Sequence, residues 1–204
     1  MRLELFPNGG SLFLLFLAVI GTMTTIVGGG GSSQAWADVI EGTEGNDVIF
    51  GTPEADLIDS KGGIDQNFGD THFRGGSGND VILSGEGVDE NWGDSFDGDG
   101  TGDDVIVSEE GDDVNWGDAG GGGEGAGFGD DIIASGEGSD FNRADTIEDG
   151  QGSGNDIIAS GEEDDTNSGG GGRDIFVCGG GEQDTVTDYN EEEGDIATPD
   201  CENV

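Results

Sequence analysis

Beyond residue 38, apolar residues in this chain recur in short runs of two or three. Val48-Ile49-Phe50, Leu57-Ile58, Val81-Ile82-Leu83, Val105-Ile106-Val107, Ile132-Ile133-Ala134, Ile157-Ile158-Ala159 and Ile175-Phe176-Val177 each follow a polar stretch of glycine and aspartate. Such runs are rich in β-branched residues, and each is long enough only for a very short strand. In the nonapeptide frame GTEGNDVIF (42–50), glycine takes the first and fourth places, aspartate the sixth and the apolar run the seventh to ninth. GTPEADLID (51–59) and SKGGIDQNF (60–68) follow directly, so Asp47, Asp56 and Asp65 fall nine apart.

Nonapeptides then pair, and the pairs repeat with an insertion after each. GGSGNDVIL with SGEGVDENW carries Asp80 and Asp89, and DGTGDDVIV with SEEGDDVNW carries Asp104 and Asp113. AGFGDDIIA with SGEGSDFNR carries Asp131 and Asp140, and QGSGNDIIA with SGEEDDTNS carries Asp156 and Asp165. The first aspartates of successive pairs, from Asp56 to Asp156, are separated by 24, 24, 27 and 25 residues: two nonapeptides plus an insertion. GGGGRDIFV (169–177) is a further copy with Asp174, and GGGEQDTVT carries Asp184. Terminal repeats depart from the pattern because they close an open stack, so 38–177 is expected to be the repeat region and 178–204 its C-terminal cap.

Glycine allows positive φ in a tight turn, and the sixth-place Asp then points a hard oxygen into the bend. A three-residue strand is unstable alone. Stacked on the next copy at about 4.8 Å it joins a parallel ladder with its eighth residue facing inward. The pattern therefore predicts an all-β solenoid of short parallel strands.

Charge changes the picture. The 204 residues carry 47 acidic against 5 basic side chains, a formal charge of −42, which excludes nucleic acid as an electrostatic partner. With 45 glycines and 31% hydrophobic residues, the chain has too little apolar surface to offset the entropy of ordering by burial alone. Stacking also brings the sixth-place carboxylates together, where they repel and raise one another's pKa values. A cation between the turns reverses that sign. Calcium fits the oxygen-rich donor set better than zinc or magnesium, since the chain has only two cysteines and His72 as its one histidine. In these terms ion binding and folding are one event.

The repeats resemble the hemolysin-type calcium-binding nonapeptide, the RTX (repeats-in-toxin) motif GGxGxDxUx. GGSGNDVIL places Gly75, Gly76, Gly78, Asp80 and Ile82 at its defining positions, and the similarity runs from about residue 41 to 190. The resemblance implies a right-handed parallel β-roll or β-helix with several Ca²⁺ ions in Gly/Asp-rich turns. It implies as ligands Asp47, Asp56, Asp65, Asp80, Asp89, Asp104, Asp113, Asp131, Asp140, Asp156, Asp165, Asp174 and Asp184, with turn carbonyls completing each shell.

Two departures stand out. Asn67, Asn91, Asn115, Asn142 and Asn167 replace the aliphatic eighth residue in the second nonapeptide of each pair. They imply either an inward ladder of amides or a left-handed turn that opens the insertion. The insertions themselves carry Phe73, Phe96 and Ile147, which are expected to plug one end of a thin core.

Residues 1–37 stand outside the repeat. Arg2, the apolar run Leu12–Ile20 and Ala35-Trp36-Ala37 read as a signal peptide with an AxA cleavage site, and Leu12–Val27 is short for a membrane span. A secreted or cell-surface protein without a stable transmembrane segment is expected. In such a compartment the even pair Cys178 and Cys201 is expected to form a disulfide tying the tail to the last coil.

The expected function is non-enzymatic calcium binding with structural ions. No unrepeated stretch is large enough for a catalytic domain of the kind that accompanies related repeats. The alternative is an adhesion or matrix component that binds polysaccharide or self-associates. Phe68, Trp92 and Trp116 share the ninth place, and they form either a ladder packed beneath the insertions or an outward stripe for sugar rings.

Overall fold

A computed structural model describes residues 38–71, 76, 78–96, 100–118, 129–145 and 154–204. The expected signal peptide, His72, Phe73 and Ile147 lie outside the described residues. All described residues fall in one compact unit, Ala35–Val204.

In chain order the strands are β1 (Val39–Glu41), β2 (Val48–Phe50), β3 (Leu57–Asp59), β4 (Gly62–Gly63), β5 (Gln66–Phe68), β6 (Val81–Gly87), β7 (Glu90–Trp92) and β8 (Val105–Ser108). They continue as β9 (Val114–Trp116), β10 (Ile132–Glu137), β11 (Phe141–Arg143), β12 (Ile157–Glu162), β13 (Thr166–Ser168), β14 (Ile175–Val177), β15 (Thr185–Val186) and β16 (Ile196–Ala197). Among the described residues there is no helix, and so none long and apolar enough to cross a membrane.

Successive strands alternate between two parallel sheets. Sheet A runs β1-β3-β6-β8-β10-β12-β14-β16, with β4 on the tail of β6; sheet B runs β2-β5-β7-β9-β11-β13-β15. Each coil thus contributes one strand to each sheet, the arrangement of a β-solenoid consistent with a β-roll. The insertions leave the stacking undisturbed: Ile58 pairs with Ile82, Ile82 with Ile106, Ile106 with Ile133 and Ile133 with Ile158 across coils of unequal length. The extra residues fall between a sheet B strand and the next turn A, outside the paired positions.

Two unlike columns face each other in the core. Sheet A supplies Ile58, Ile82, Ile106, Ile133, Ile158 and Phe176, all essentially buried. A fully buried side chain of this size contributes about 2–3 kcal/mol by removal from water. Sheet B supplies Asn67, Asn91, Asn115, Asn142 and Asn167, equally buried.

Their amides form a ladder. Asn67 Nδ2 donates to Asn91 Oδ1 (2.9 Å), Asn91 to Asn115 (2.9 Å), Asn115 to Asn142 (3.0 Å) and Asn142 to Asn167 (3.1 Å). The second amide proton goes to a serine column, with Asn67 on Ser60, Asn91 on Ser84, Asn115 on Ser108, Asn142 on Ser135 and Asn167 on Ser160, at 2.9–3.1 Å. Of the two readings of the Asn series, the inward ladder is the one present. It starts below Ile49, the residue paired with Asn67, and ends at Val186.

Cys178 follows β14 at the place the serines hold in other coils, its carbonyl accepting from Ser160 Oγ (3.4 Å). It is bonded to Cys201, with Cα atoms 5.2 Å apart. The stretch after Cys178 continues both sheets through β15 and β16.

The ninth-place aromatics stack in the order Phe50, Phe68, Trp92 and Trp116, with centroids 4.8, 4.4 and 4.7 Å apart and rings nearly parallel. Phe68 and Trp92 are only 4% and 3% exposed, so their faces are occupied by one another and do not form an open platform for sugar rings. Phe96 was expected at a core end; it stands 42% exposed with its edge on Trp92, because an insertion leaving on the outside of the coil carries it onto the outer face.

Candidate functional site

The turns before the two sheets, turn A and turn B, hold the sixth-place aspartates in two rows. In row A the N–H of each member donates to Oδ1 of the next. Asp38 donates to Asp56 (2.8 Å), Asp56 to Asp80 (2.6 Å), Asp80 to Asp104 (2.7 Å) and Asp104 to Asp131 (2.8 Å). The file continues from Asp131 to Asp156 (2.8 Å), Asp156 to Asp174 (3.0 Å) and Asp174 to Asp195 (3.0 Å).

Row B repeats the arrangement. Asp47 donates to Asp65, Asp65 to Asp89 and Asp89 to Asp113, all at 2.8 Å. Asp113 donates to Asp140 (2.8 Å), Asp140 to Asp165 (2.9 Å), Asp165 to Asp184 (3.0 Å) and Asp184 to Glu202 (3.0 Å). The thirteen aspartates singled out from the repeat all stand in these two rows. Asp38, Asp195 and Glu202 extend them at the ends, beyond the well-formed nonapeptides where a spacing argument looks.

The second carboxylate oxygen distinguishes the inner turns from the outer ones. Oδ2 of Asp65, Asp80, Asp89, Asp104, Asp113, Asp131, Asp140, Asp156, Asp165 and Asp184 is buried without a hydrogen-bond partner. At the N-terminal end, threonine fills the place that glycine holds in the motif. Thr43 donates to Asp47 Oδ2 from its amide (2.6 Å) and hydroxyl (2.9 Å), and Thr52 does the same for Asp56 (2.5 and 3.0 Å). At the other end the Asn190 amide donates to Asp195 Oδ2 (2.7 Å). The chain satisfies its own carboxylates in these end turns and leaves them open between.

Buried open carboxylates are costly. Two unit charges about 4.8 Å apart repel by roughly 3–4 kcal/mol at an effective dielectric near 20. Accordingly burial, with neighbouring carboxylates adding to it, pushes Asp80 up to about 8 and Asp156 to about 10, and holds Asp104 and Asp131 well above the ordinary range. Row B is milder. Burial raises Asp89, Asp113 and Asp140 to about 6 and Asp165 to about 7.

Part of the difference is a third file of acids that the nonapeptide frame does not include. Asp70, Asp94, Asp118 and Asp145 open the insertions, two residues beyond the ninth place, and are buried beside row A. Burial raises Asp70 to about 6, Asp94 to about 9, Asp118 to about 12 and Asp145 to about 7. The available signal was the recurring Asn-x-Gly-Asp at 67–70, 91–94 and 115–118.

This donor set suits a hard cation with many oxygen ligands. Among the described residues no three carboxylate, imidazole or thiolate side chains converge closely enough to hold a metal by themselves. An ion there would need turn carbonyls as well, and the stacking brings carbonyls close to neighbouring turns: a Cβ on Gly102 would lie 1.9 Å from the Gly78 carbonyl oxygen. Calcium accepts 6–8 such oxygens in flexible geometry, so Asp Oδ2 with carbonyls of adjacent turns fits it.

Comparison with known proteins agrees. No curated protein and no solved structure matches the chain. The family model for the RTX calcium-binding nonapeptide repeat matches four times, over residues 37–66, 67–98, 126–141 and 142–176, together more than half of the 204 residues. With its stacked Gly/Asp turns, parallel strand ladders and repeated family match, the chain belongs to the RTX calcium-binding nonapeptide repeat family.

Proposed function

We propose that this protein is a secreted calcium-binding repeat protein in which several Ca²⁺ ions are structural and drive folding. The carrying observation is the set of ten buried Oδ2 atoms without partners in consecutive turns. A carboxylate oxygen in that position costs free energy until something positive meets it, and ions between the turns both neutralise and crosslink the stack.

The sixth-place aspartates from Asp65 to Asp184 serve as ligands. Asp47 and Asp56 belong to the same rows, with Thr43 and Thr52 already holding their second oxygens. The Cys178–Cys201 disulfide supports an oxidising, extracellular setting. The role is one of binding and architecture, and the buried aromatic stack gives no support to a sugar-binding platform.

Circular dichroism of metal-stripped protein titrated with Ca²⁺ tests the reading. The chain is expected to be expanded without the ion and to gain β structure cooperatively at millimolar Ca²⁺ or below. A spectrum indifferent to both Ca²⁺ and chelator would overturn it.

A further inference from the structure

The third acidic file lies outside the nonapeptide and alongside only one edge of the solenoid. Asp70, Asp94 and Asp118 are at most 1% exposed, and in all three both carboxylate oxygens lack a hydrogen-bond partner among the described residues. The Gly78 amide leans toward Asp70 without closing a hydrogen bond. Asp70 stands against Asp94 and Asp94 against Asp118, a contact that ionised carboxylates, acceptors only, cannot convert into hydrogen bonds.

A second observation lies across the turn. The unpartnered Oδ2 atoms of Asp80, Asp104 and Asp131 point to the same edge. A Cβ on Gly69, Gly93 or Gly117, each the residue just before a file member, would meet them at 2.5, 2.4 and 2.3 Å. Glycines also clear the space for the file itself, since a Cβ on Gly76 or Gly100 would fall 1.6 or 1.9 Å from Oδ2 of Asp70 or Asp94. Ser95 Oγ, fully buried next to Asp94, is likewise without a partner.

Asp145, the file's last member, and Asp188 of the following coil show what such a carboxylate requires. Asp145 Oδ2 accepts from the Gly154 and Gly171 amides (3.2 and 3.3 Å). Asp188, arriving from the following coil, accepts from Ser168 Oγ (2.7 Å) and from the Gly169 and Gly170 amides (3.2 and 2.7 Å). Donors close the file at that end. Among the described residues upstream no donor closes on the file, and a cation is the partner its charge calls for.

From this geometry we infer that Asp70, Asp94 and Asp118 are calcium ligands additional to the repeat motif. They join the Oδ2 atoms of Asp80, Asp104 and Asp131 in two-carboxylate sites along the turn A edge. The inference rests on calcium binding as proposed above. Two buried carboxylates per coil carry −2, which one Ca²⁺ neutralises, whereas each turn B offers a single buried carboxylate. Ligand charge count tunes calcium affinity, so the protein has two classes of site, and the turn A class fills first.

Native mass spectrometry of the full chain during a Ca²⁺ titration reads the number of ions at each free concentration. Wild type is expected to fill in two stages. The combined variant D70N/D94N/D118N is expected to shift the first stage at least tenfold to higher Ca²⁺ and leave the second in place. D89N/D113N is expected to do the reverse. Single D94N, which keeps one oxygen of the same shape, guards against a folding defect in the triple variant and is expected to weaken early filling alone.

Titrations of D94N and the triple variant that superimpose on wild type would overturn the inference, leaving protons as what the file shares. A wild type that binds no ions would instead overturn the calcium reading itself.

Discussion

Each coil has two halves built on one turn geometry and filled with opposite chemistry. In the inner coils the sheet A half puts isoleucine in the core and two buried carboxylates at its turn; the sheet B half puts asparagine in the core and one buried carboxylate at its turn. An apolar column holds its coils together by area alone and tolerates any register that keeps it inside. An amide column is directional. Each Asn must find the next Asn and its own serine, so sheet B specifies the stacking of coils one on one. Where one half supplies hydrophobic free energy, the other supplies alignment, and the turns of both make the stack dependent on charge neutralisation.

The largest effect expected to separate loaded from metal-free protein is pH. In the metal-free chain burial raises Asp89, Asp113 and Asp140 to about 6, Asp80 to about 8 and Asp156 to about 10, against about 4 when unfolded. Their protonated forms favour the fold, so that contribution is fully present below about pH 4 and is lost as pH rises through 6 and onward. In the loaded protein the same carboxylates must be ionised to hold Ca²⁺, and stability is lost as pH falls. Circular dichroism against pH, in metal-stripped buffer and in excess Ca²⁺, is expected to give curves of opposite slope. Parallel curves would mean that the carboxylates are not where the ions bind.

Next come the two core columns. Ile106→Ala is expected to cost about 2–5 kcal/mol through the cavity it leaves. Asn115→Ala also strands one amide proton of Asn91 and the Asn142 side-chain oxygen, at about 1–3 kcal/mol for each buried orphan, while Ser108 Oγ keeps its bond to the Ser135 carbonyl. It should be at least as damaging, although an amide is less apolar than isoleucine. Asn115→Leu refills the volume and leaves the orphans. If its thermal midpoint in excess Ca²⁺ returned to wild type, the ladder would be filler and the contrast between the halves would fail.

The smallest effect belongs to the disulfide. Opening the disulfide with Cys178→Ser and Cys201→Ser is expected to cost about 3 kcal/mol or less. Serine at 178 rejoins the serine column of the coils above, offsetting part of the loss. Thermal melts of the double variant at saturating Ca²⁺ check this, and a loss of the entire fold would show that the Cys178–Cys201 link carries more of the stability than the columns do.

Much of this was legible in the residue pattern. Aspartate at one place in nine, glycine before it and aliphatic residues after it have only one way to stack many times over, and both aspartate rows follow from counting. The third file was marked only by the recurring Asn-x-Gly-Asp, because Asp70, Asp94 and Asp118 fall past the ninth place of the nonapeptide frame, and whether they turn inward beside row A depends on the fold. The asparagine ladder was half legible. Its recurrence marked it, yet the choice between an inward amide and a left-handed turn depends on which face of the coil the eighth residue takes.

By itself, then, the sequence determined the repeat, the short parallel strands, the inward Ile column and the crowding of carboxylates that calls for calcium, since all of these are consequences of period. Only the tertiary structure decided which carboxylate oxygens the protein satisfies for itself. Thr43, Thr52 and Asn190 close the end turns, the middle turns stay open, and Asp70, Asp94 and Asp118 are folded in beside row A. Hydrogen-bond satisfaction depends on what lies one coil away, 18 to 27 residues along the chain, and no local pattern contains it.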